Sequence, residues 1–307
     1  MASEKWKIQA AERVMRRLRM ESKAAENMSK PPLTSSDVME TSDYVFSPIM
    51  PENRIGDSGQ LLLAKKKDDR KRQYLVKHAY TDCAVNEFVY TKLAQAMDIK
   101  MPDAVLFRLS EGEKRRYFQT EYILGTKYLN IIKRLADYNI IRNEAINWHD
   151  FLCYQALYDM FLEDDSFEVM LATDGFIYRV DTSSSFHIVD NHLSQAGVNI
   201  ELNGYNPAES VKNRMLSYCH NYNEDKEINI FTASLEGLTK KYGSECVQPY
   251  LDPFSRIQEI PDDYIDSFLN TLCYFYPDFI GDYFKLLIAA IQRASSSFLN
   301  TITIGGS

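Results

Sequence analysis

The feature that most constrains the fold is a strand pattern that ends on a lysine and is soon followed by an amphipathic helix. Residues 74–102 read YLVKHAYTDCAVNEFVYTKLAQAMDIKMP. The run 74–76 is typical of a buried strand, so the ammonium group of Lys77 needs an anionic partner unless it extends to solvent. Ten residues later Glu87 opens a predicted helix over residues 87–97, which ends before a proline. A lysine and a glutamate in this arrangement indicate a site where a phosphate and a carboxylate share one cation.

The pattern around this segment predicts a β-rich region with one helix, followed by a mainly helical region. The predicted strands cover residues 61–66, 72–77, 104–109 and 116–123. Beyond Gly125 a hairpin is predicted at residues 167–180, where the chain turns at an Asp-Gly pair. The predicted helices there cover residues 148–161 and parts of 208–241 and 262–299. The fold class expected from this order is α+β.

Three parts of the chain are expected from these patterns. Residues 1–40 read as a charged helix and a Pro- and Ser-containing linker, and form an appendage. Residues 41–124 form the small β-rich part, and residues 125–307 form the larger helical part. The basic cluster in the first helix either contacts an anionic partner or belongs to a solvated helix face.

Composition excludes several classes of protein. The net charge of −8 argues against general binding to nucleic acid or anionic lipid, because both require a basic surface. The 5 cysteines are widely spaced, without a C-x-x-C pair, which is typical of reduced thiols in a cytoplasmic protein. No apolar stretch is long enough for a membrane span, and the N-terminus lacks the apolar core of a secretory signal.

A candidate phosphate-binding loop precedes the first predicted strands. Residues 54–61 read RIGDSGQL and contain Gly56, Ser58 and Gly59. Glycine allows backbone N–H groups to approach an anion closely, because no Cβ stands in the way. The loop is not a Walker motif, since no G-K-[ST] follows. A β-turn is the alternative interpretation.

Two acidic features lie beside the hairpin predicted at residues 167–180. Asp181 follows the apolar run in GFIYRVDTSSSF and either caps a turn or binds a metal. A second acidic cluster, in the stretch LEDDSFEVML at residues 162–171, contains Asp164 and Asp165. This cluster is either a functional loop or a solvated turn.

These motifs resemble those of the HipA-like kinases, which share their lobes with phosphatidylinositol kinases and more remotely with protein kinases. The resemblance covers roughly residues 54–186 and depends on the YLVK strand, the helix that begins at Asn-Glu and ends in DIKMP, and the IYRVD strand end. It implies a two-lobed kinase-like fold that binds ATP and Mg²⁺. In such a fold Lys77 contacts the nucleotide phosphates, Glu87 holds the lysine and Asp181 binds the metal. The glycine loop covers the phosphates.

The resemblance also implies roles for the remaining candidates. Asp164 or Asp165 is the catalytic acid that orients the acceptor hydroxyl. The family has an asparagine five residues after its catalytic aspartate, and this chain has none there, so Glu168 is the nearest oxygen donor for a second metal position. The stretch FQTEYI at residues 118–123 is expected to join the lobes, with Glu121 and Tyr122 at the adenine edge.

Three functions follow from the sequence. The first is an ATP- and magnesium-dependent phosphotransferase that acts on a hydroxyl group, preferably of a protein substrate. The second is a pseudokinase that binds a nucleotide or a protein partner without phosphoryl transfer, because the catalytic loop lacks both histidine and asparagine. The third is an interaction protein that uses its basic N-terminal helix.

Overall fold

A six-stranded sheet forms the N-terminal region of the computed structural model. The structure describes residues 37–49, 61–69, 71–77, 81–110, 122–163, 166–187, 224–273 and 279–305. The strands of the sheet are β1 (Val38–Glu40), β2 (Tyr44–Pro48), β3 (Leu61–Lys66), β4 (Gln73–Lys77), β5 (Ala104–Arg108) and β6 (Tyr122–Lys127). Their spatial order is β1-β5-β6-β4-β3-β2, and only the β1–β5 pair is parallel.

One face of the sheet is closed by aromatic and aliphatic side chains. Tyr44, Tyr74 and Phe107 meet edge to face, with ring centroids 4.9–6.0 Å apart. Such contacts add to the stabilisation that comes from removing the rings from water. Gly125 lies under this cluster, because a Cβ there would stand 2.5 Å from Cε2 of Phe107. The glycine in the middle of β6 is therefore required by packing.

The helix α1 (Thr81–Ala96) packs against the sheet and is apolar on nearly all sides. Every residue from 84 to 91 is buried, including Asn86 and Glu87. A helix buried all round has no continuous polar face. Its three buried polar side chains, Asn86, Glu87 and Thr91, therefore require partners inside the protein.

A three-stranded antiparallel sheet follows, made of β7 (Ile131–Leu135), β8 (Val169–Ala172) and β9 (Ile177–Arg179), in that spatial order. Two helices lie between β7 and β8 in the chain, α2 (Tyr138–Glu144) and α3 (Asp150–Met160). Asp137 caps α2, because its carboxylate accepts from the backbone N–H groups of Asn139 and Ile140. The β8–β9 hairpin turns at Gly175, whose φ of +81° favours glycine.

The C-terminal part is helical. Its elements are α4 (Glu224–Tyr242), α5 (Val247–Arg256), α6 (Asp262–Cys273) and α7 (Phe279–Gly305). Phe231, Phe254 and Phe298 come from three of these helices and pack with ring centroids 4.8–5.3 Å apart. Within the described ranges no helix is both long and apolar enough to cross a membrane.

The described residues divide into two compact units. One contains residues 37–154 and 162–187, and the other contains residues 155–161 and 224–305. The expected α+β class is confirmed, with a β-rich N-terminal region that carries one helix and a mainly helical C-terminal part. The domain limits drawn from the sequence at residues 40 and 124 stay a prediction.

The structure differs from the sequence-based elements at several places. The helix α1 begins at Thr81 rather than Glu87, and the strand predicted to end at residue 123 continues to Lys127. Residues 38–40, predicted as linker, form β1, and β7 was predicted as part of a helical region. The predicted N-terminal helix lies outside the described residues.

Candidate functional site

The end of β4 brings the Lys77 backbone beside the start of β3, near the end of β2, and the predicted glycine loop joins these two strands in the chain. Leu61 of β3 pairs with Lys77, and the Leu61 carbonyl accepts from the backbone N–H of Ile49 at 3.1 Å. The chain therefore leaves and re-enters the sheet next to Lys77 through residues 50–60. The loop residues themselves, among them Gly56, Ser58 and Gly59, and the Lys77 side chain lie outside the described residues. Their roles stay predictions.

The β8–β9 hairpin brings the two acidic segments of the sequence to one place. Val169 pairs with Arg179, and the backbone N–H of Val180 donates to the Glu168 carbonyl at 3.3 Å. The segment before β8 and the segment after β9 therefore leave the same end of the hairpin. The first segment leads back to Asp164 and Asp165, which lie outside the described residues. The second contains Asp181.

The backbone around Asp181 is strained. Asp181 has a φ of +58°, and Phe186 has a φ of +64°. A left-handed conformation is uncommon for a residue other than glycine, and it is most unusual for a bulky side chain such as phenylalanine. Two such residues within six positions indicate a segment whose shape is imposed by its surroundings. The Ser183 hydroxyl lies 3.5 Å from Oδ1 of Asp181, at the limit of a hydrogen bond.

The segment that follows Asp181 is attached to α1. The Asn86 Nδ2 group donates to the Ser183 carbonyl at 3.0 Å. One helical turn further, Tyr90 meets Phe186 edge to face, with ring centroids 6.5 Å apart. Asn86 precedes Glu87 in α1, so this helix connects the Asp181 segment with the predicted partner of Lys77. Glu87 itself is buried.

Buried oxygen atoms surround this attachment. Oγ1 of Thr182, Oγ of Ser185 and Oδ1 of Asn86 are buried, and they have no hydrogen-bond partner among the described residues. A buried polar atom without a partner is costly, so native proteins satisfy such atoms with protein groups, water or ions. Together with the Asp181 carboxylate these are hard oxygen donors, the ligand type that Mg²⁺ prefers. Oxygen donors of this type are compatible with a magnesium ion, and the role of Asp181 as its ligand stays a prediction. Among the described residues no group of three acidic, histidine or cysteine side chains forms a metal cage of its own.

Arg179, the last residue of β9, is fully buried and connects the two acidic segments. Its guanidinium donates to the Glu163 carboxylate and to the Ser166 carbonyl, the latter at 3.3 Å. It also donates to the carbonyls of Glu168 at 2.9 Å and Val180 at 2.5 Å. One side chain therefore contacts the chain on both sides of residues 164–165 and the residue before Asp181.

The Glu168 side chain makes an ion pair of its own. Its Oε1 lies 2.8 Å from Nη1 of Arg134 in β7 and accepts from the Ser166 hydroxyl at 3.3 Å. The carboxylate predicted to replace the missing asparagine is thus engaged by a cation. Its role as a second metal ligand stays a prediction.

One tyrosine holds the hairpin against the rest of its unit, and a second binds the turn of the hairpin. The Tyr154 hydroxyl, on α3, is in hydrogen-bond contact with the carbonyls of Lys100 and Ile177, the latter at 3.1 Å. The Tyr178 hydroxyl donates to the Asp174 carboxylate at 2.7 Å. Burial raises the pKa of both phenols, and for Tyr178 the neighbouring Asp174 raises the pKa further. Both groups therefore remain hydrogen-bond donors at neutral pH.

Of the segment predicted at the adenine edge, residues 118–123, the structure describes residues 122 and 123. Tyr122 begins β6, which lies inside the sheet between β4 and β5, and Glu121 lies outside the described residues. The chain leaves the sheet after Lys127 and reaches β7 through residues 128–130. Residues 128–130 thus connect the two sheets, and the link between lobes expected at 118–123 stays a prediction. Contact of Glu121 and Tyr122 with a nucleotide stays a prediction.

Sequence reasoning missed Arg179 and Asn86. An arginine inside the apolar run FIYRV is a recognisable signal, because a charge in a buried strand needs an opposite charge. Glu163, in the nearby acidic cluster, was available as that partner. Asn86 gave no comparable signal, since a single amide in a helix pattern is common.

Comparison with known proteins finds likeness among solved structures. No family model matches the chain, and no curated protein sequence matches it. Among solved structures, a crystal structure of the Helicobacter pylori proinflammatory kinase CtkA is similar, with a TM-score of 0.47 and 11% sequence identity. The match covers 84% of this chain and 96% of that one. Function is therefore inferred from the geometry of the described residues.

Proposed function

We propose that the chain is a nucleotide- and magnesium-dependent phosphotransferase with a HipA-like arrangement of its site, acting on a hydroxyl group of a protein substrate. The observation that carries the proposal is the convergence at the end of the β8–β9 hairpin. The register of Val169 with Arg179 brings the residues just before β8, which follow Asp164 and Asp165 in the chain, to the end of the hairpin where the chain continues to Asp181. Phosphoryl transfer needs an acid that orients the acceptor near an acid that binds metal.

The attachment of α1 to the Asp181 segment supports the same proposal. Lys77 would contact the nucleotide phosphates, and Glu87 would hold the lysine in place. The backbone around Gly56, Ser58 and Gly59 would cover the phosphates. Because Asn86 binds the Ser183 carbonyl, the helix that carries Glu87 is fixed to the segment that carries Asp181.

A magnesium ion, when bound, would neutralise negative charge on the phosphates. The Asp181 carboxylate would hold it, with Glu168 as a second ligand. Asp164 or Asp165 would orient the acceptor hydroxyl and accept its proton. Glu121 and Tyr122 would contact the base.

The test is transfer of label from γ-labelled ATP, with magnesium or with a chelator, to the protein itself and to a mixture of protein substrates. We expect Lys77→Ala and Asp181→Asn each to reduce transfer by about 100-fold or more, because each removes charge stabilisation of the transferring group. The matched controls are Lys65→Ala on the adjacent strand and Asp68→Asn in the β3–β4 turn, both at exposed positions. Equal transfer by wild type and by both site variants contradicts the proposal.

One observation favours a second function, nucleotide binding without transfer. Glu168, the substitute for the missing asparagine, is paired with Arg134 at 2.8 Å. If the chain is a pseudokinase, we expect ATP to raise its melting temperature whether or not magnesium is present, and we expect no phosphoryl transfer. A magnesium-dependent rise accompanied by turnover excludes it.

A further inference from the structure

A fully buried arginine close to the candidate metal ligand calls for an explanation. Arg179 ends β9 two positions before Asp181, and no part of its side chain is exposed. Removing a guanidinium from water is costly, and the cost is offset only by good geometry and by several hydrogen bonds. An apolar residue would satisfy the packing of a short buried strand more simply. The position therefore serves something beyond the hairpin itself.

The hydrogen bonds that the structure describes for the Arg179 side chain lie in the two segments that converge at the hairpin end. Its Nη2 atom binds the Glu163 carboxylate, immediately before residues 164–165, and lies 3.3 Å from the Ser166 carbonyl, immediately after them. The guanidinium thus binds the residue on each side of this two-residue stretch.

The other contacts fix the flanks of the same segment. Nη1 donates to the carbonyl of Glu168 at 2.9 Å and to the carbonyl of Val180 at 2.5 Å. The guanidinium carbon lies 5.0 Å from the centre of the Phe167 ring, a distance suited to a cation–π contact. Phe167 in turn packs edge to face on Phe151 of α3, with centroids 5.5 Å apart.

From these contacts we infer that Arg179 is a positioning residue for phosphoryl transfer, which fixes Glu163 and Ser166, on either side of the two aspartates, relative to Val180, the neighbour of Asp181. The inference rests on the proposed function. Arg179 touches neither substrate nor metal in this scheme. It acts through the backbone on both sides of the two aspartates and through Val180, the neighbour of Asp181.

Arginine is suited to this task, and lysine is not. The planar guanidinium presents five N–H donors in a fixed fork, so it can bind several carbonyls and one carboxylate at once. A lysine has one compact ammonium group and loses its proton readily when buried. Replacing Arg179 with lysine would therefore leave several of the four acceptors without a donor.

The decisive variant removes both buried charges together, Arg179→Met with Glu163→Leu. Replacing a buried ion pair by apolar residues of similar volume is often neutral for stability, whereas removing one partner strands the other charge. We expect the double variant to fold with a melting temperature close to wild type and to bind ATP with a KM within about 3-fold. We expect kcat to fall by about 50-fold or more, because a displacement of about 1 Å can reduce a rate 100-fold.

The matched control is an arginine–glutamate pair on the surface of the same unit. Arg108 and Glu40 lie opposite each other on β5 and β1 at 3.1 Å, with 37% and 52% of their side chains exposed. Arg108→Met with Glu40→Leu should leave kcat within about 2-fold, because an exposed pair contributes little. The single variant Arg179→Lys should show the kcat defect of the double variant. Full transfer by either Arg179 variant overturns the inference.

Native-state hydrogen exchange tests the positioning role of Arg179 independently of the activity assay. In the wild-type chain we expect the amide of Val180, which donates to the Glu168 carbonyl, to exchange as slowly as those of β8. In the double variant we expect this amide to exchange about 10-fold faster or more, with α1 unchanged. Absence of transfer by the wild type would refute the proposed function alone, and the exchange data would then decide the positioning role. Fast exchange of the Val180 amide in the wild type overturns the inference, even if the double variant does not fold.

Discussion

Asp159 makes the stability of the helical unit depend on pH in a direction that is unusual for an aspartate. It lies near the end of α3, and the Tyr250 hydroxyl of α5 donates to its Oδ2 at 2.8 Å. Burial raises the pKa of Asp159 from 3.8 to about 6, although hydrogen bonds from Tyr250, Ser234 and Gln155 lower it in part. The charged form is therefore the less stable one in the folded protein.

The sign and size of the effect follow from the two pKa values. A carboxyl group whose folded pKa exceeds its unfolded pKa binds its proton more tightly in the folded state. The stabilisation is fully present below about pH 3.8 and is lost as the pH rises through about 6. One pKa unit corresponds to about 1.4 kcal/mol, so the whole shift is worth about 3 kcal/mol. Between about pH 4.5 and pH 7.5 the expected loss is about 2 kcal/mol.

The test compares wild type with Asp159→Asn at both pH values. Asparagine does not titrate and can still accept from the Tyr250 hydroxyl. The unfolding free energy of the variant minus that of wild type should therefore increase by about 2 kcal/mol from about pH 4.5 to pH 7.5. Urea unfolding followed by far-ultraviolet circular dichroism measures both free energies, and the subtraction removes the contribution of the other carboxyl groups.

A companion variant and a control sharpen this test. Tyr250→Phe removes a hydrogen bond that lowers the pKa of Asp159, so it should move the pH window upward. The control Tyr264→Phe removes a phenol that is 36% exposed and should leave the pH dependence unchanged. A stability difference between Asp159→Asn and wild type that is the same at both pH values, within about 0.5 kcal/mol, would refute the reasoning.

Three further substitutions test the packing of the sheet, a helix face and the α1 attachment. Gly125→Ala should destabilise the fold by about 1–3 kcal/mol, because its Cβ would stand 2.5 Å from the buried Phe107 ring; the urea midpoint measures this. Gly237→Ala, inside α4 with no atom within 4 Å of its Cβ, should instead stabilise by up to about 1 kcal/mol, and a loss would contradict the helix assignment. Asn86→Ala removes the donor to the Ser183 carbonyl and should cost about 1 kcal/mol, with faster hydrogen exchange at residues 183–186 and unchanged exchange in β8.

The sequence was sufficient for those strands that carry their own signal. β3, β4 and β5 lie within one residue of their predicted limits, because each combines apolar residues with a nearby turn. β1 and β7 were missed since they are short and carry little periodicity. Both form by backbone pairing with a neighbour, β5 in one case and β8 in the other. Such pairing depends on the tertiary structure and leaves almost no mark on the strand's own residues.

The strand β6 ends later in the chain than the sequence predicted, and this difference has a specific physical cause. Its residues include Gly125, which weakens a strand pattern and made the predicted strand end at residue 123. In the folded chain this glycine is required, because the ring of Phe107 occupies the space of its Cβ. The rule that glycine weakens a strand therefore gave the wrong strand end here, because packing between neighbouring strands requires glycine at this position. The start of α1 was missed for a related reason, since its first turn has no apolar run.

The position of Asp181 just after a strand was predictable, because a clear apolar run precedes it, whereas the contacts of Arg179 were not predictable. The partners of Arg179 that precede β8 lie 11–16 residues away in sequence and come together with it only through the register of the β8–β9 hairpin. A shift of one residue in that register would turn Arg179 to the other face. The contact of the Arg179 side chain with the two acidic segments therefore depends on how β8 and β9 pair.

Two ion pairs at the hairpin end differ greatly in the free energy that separating them would cost. Arg179 and Glu163 are both without exposed side-chain surface, and separating them would leave a buried charge, at a cost of several kcal/mol. Arg134 and Glu168 are 53% and 20% exposed, and a pair of this kind contributes about 0–1 kcal/mol. A divalent cation bound by Asp181 could therefore draw Glu168 away from Arg134 at little cost, whereas the Arg179 contacts would persist. For this reason the ion pair of Glu168 weighs only slightly against phosphoryl transfer, and the fixed geometry around Arg179 weighs in its favour.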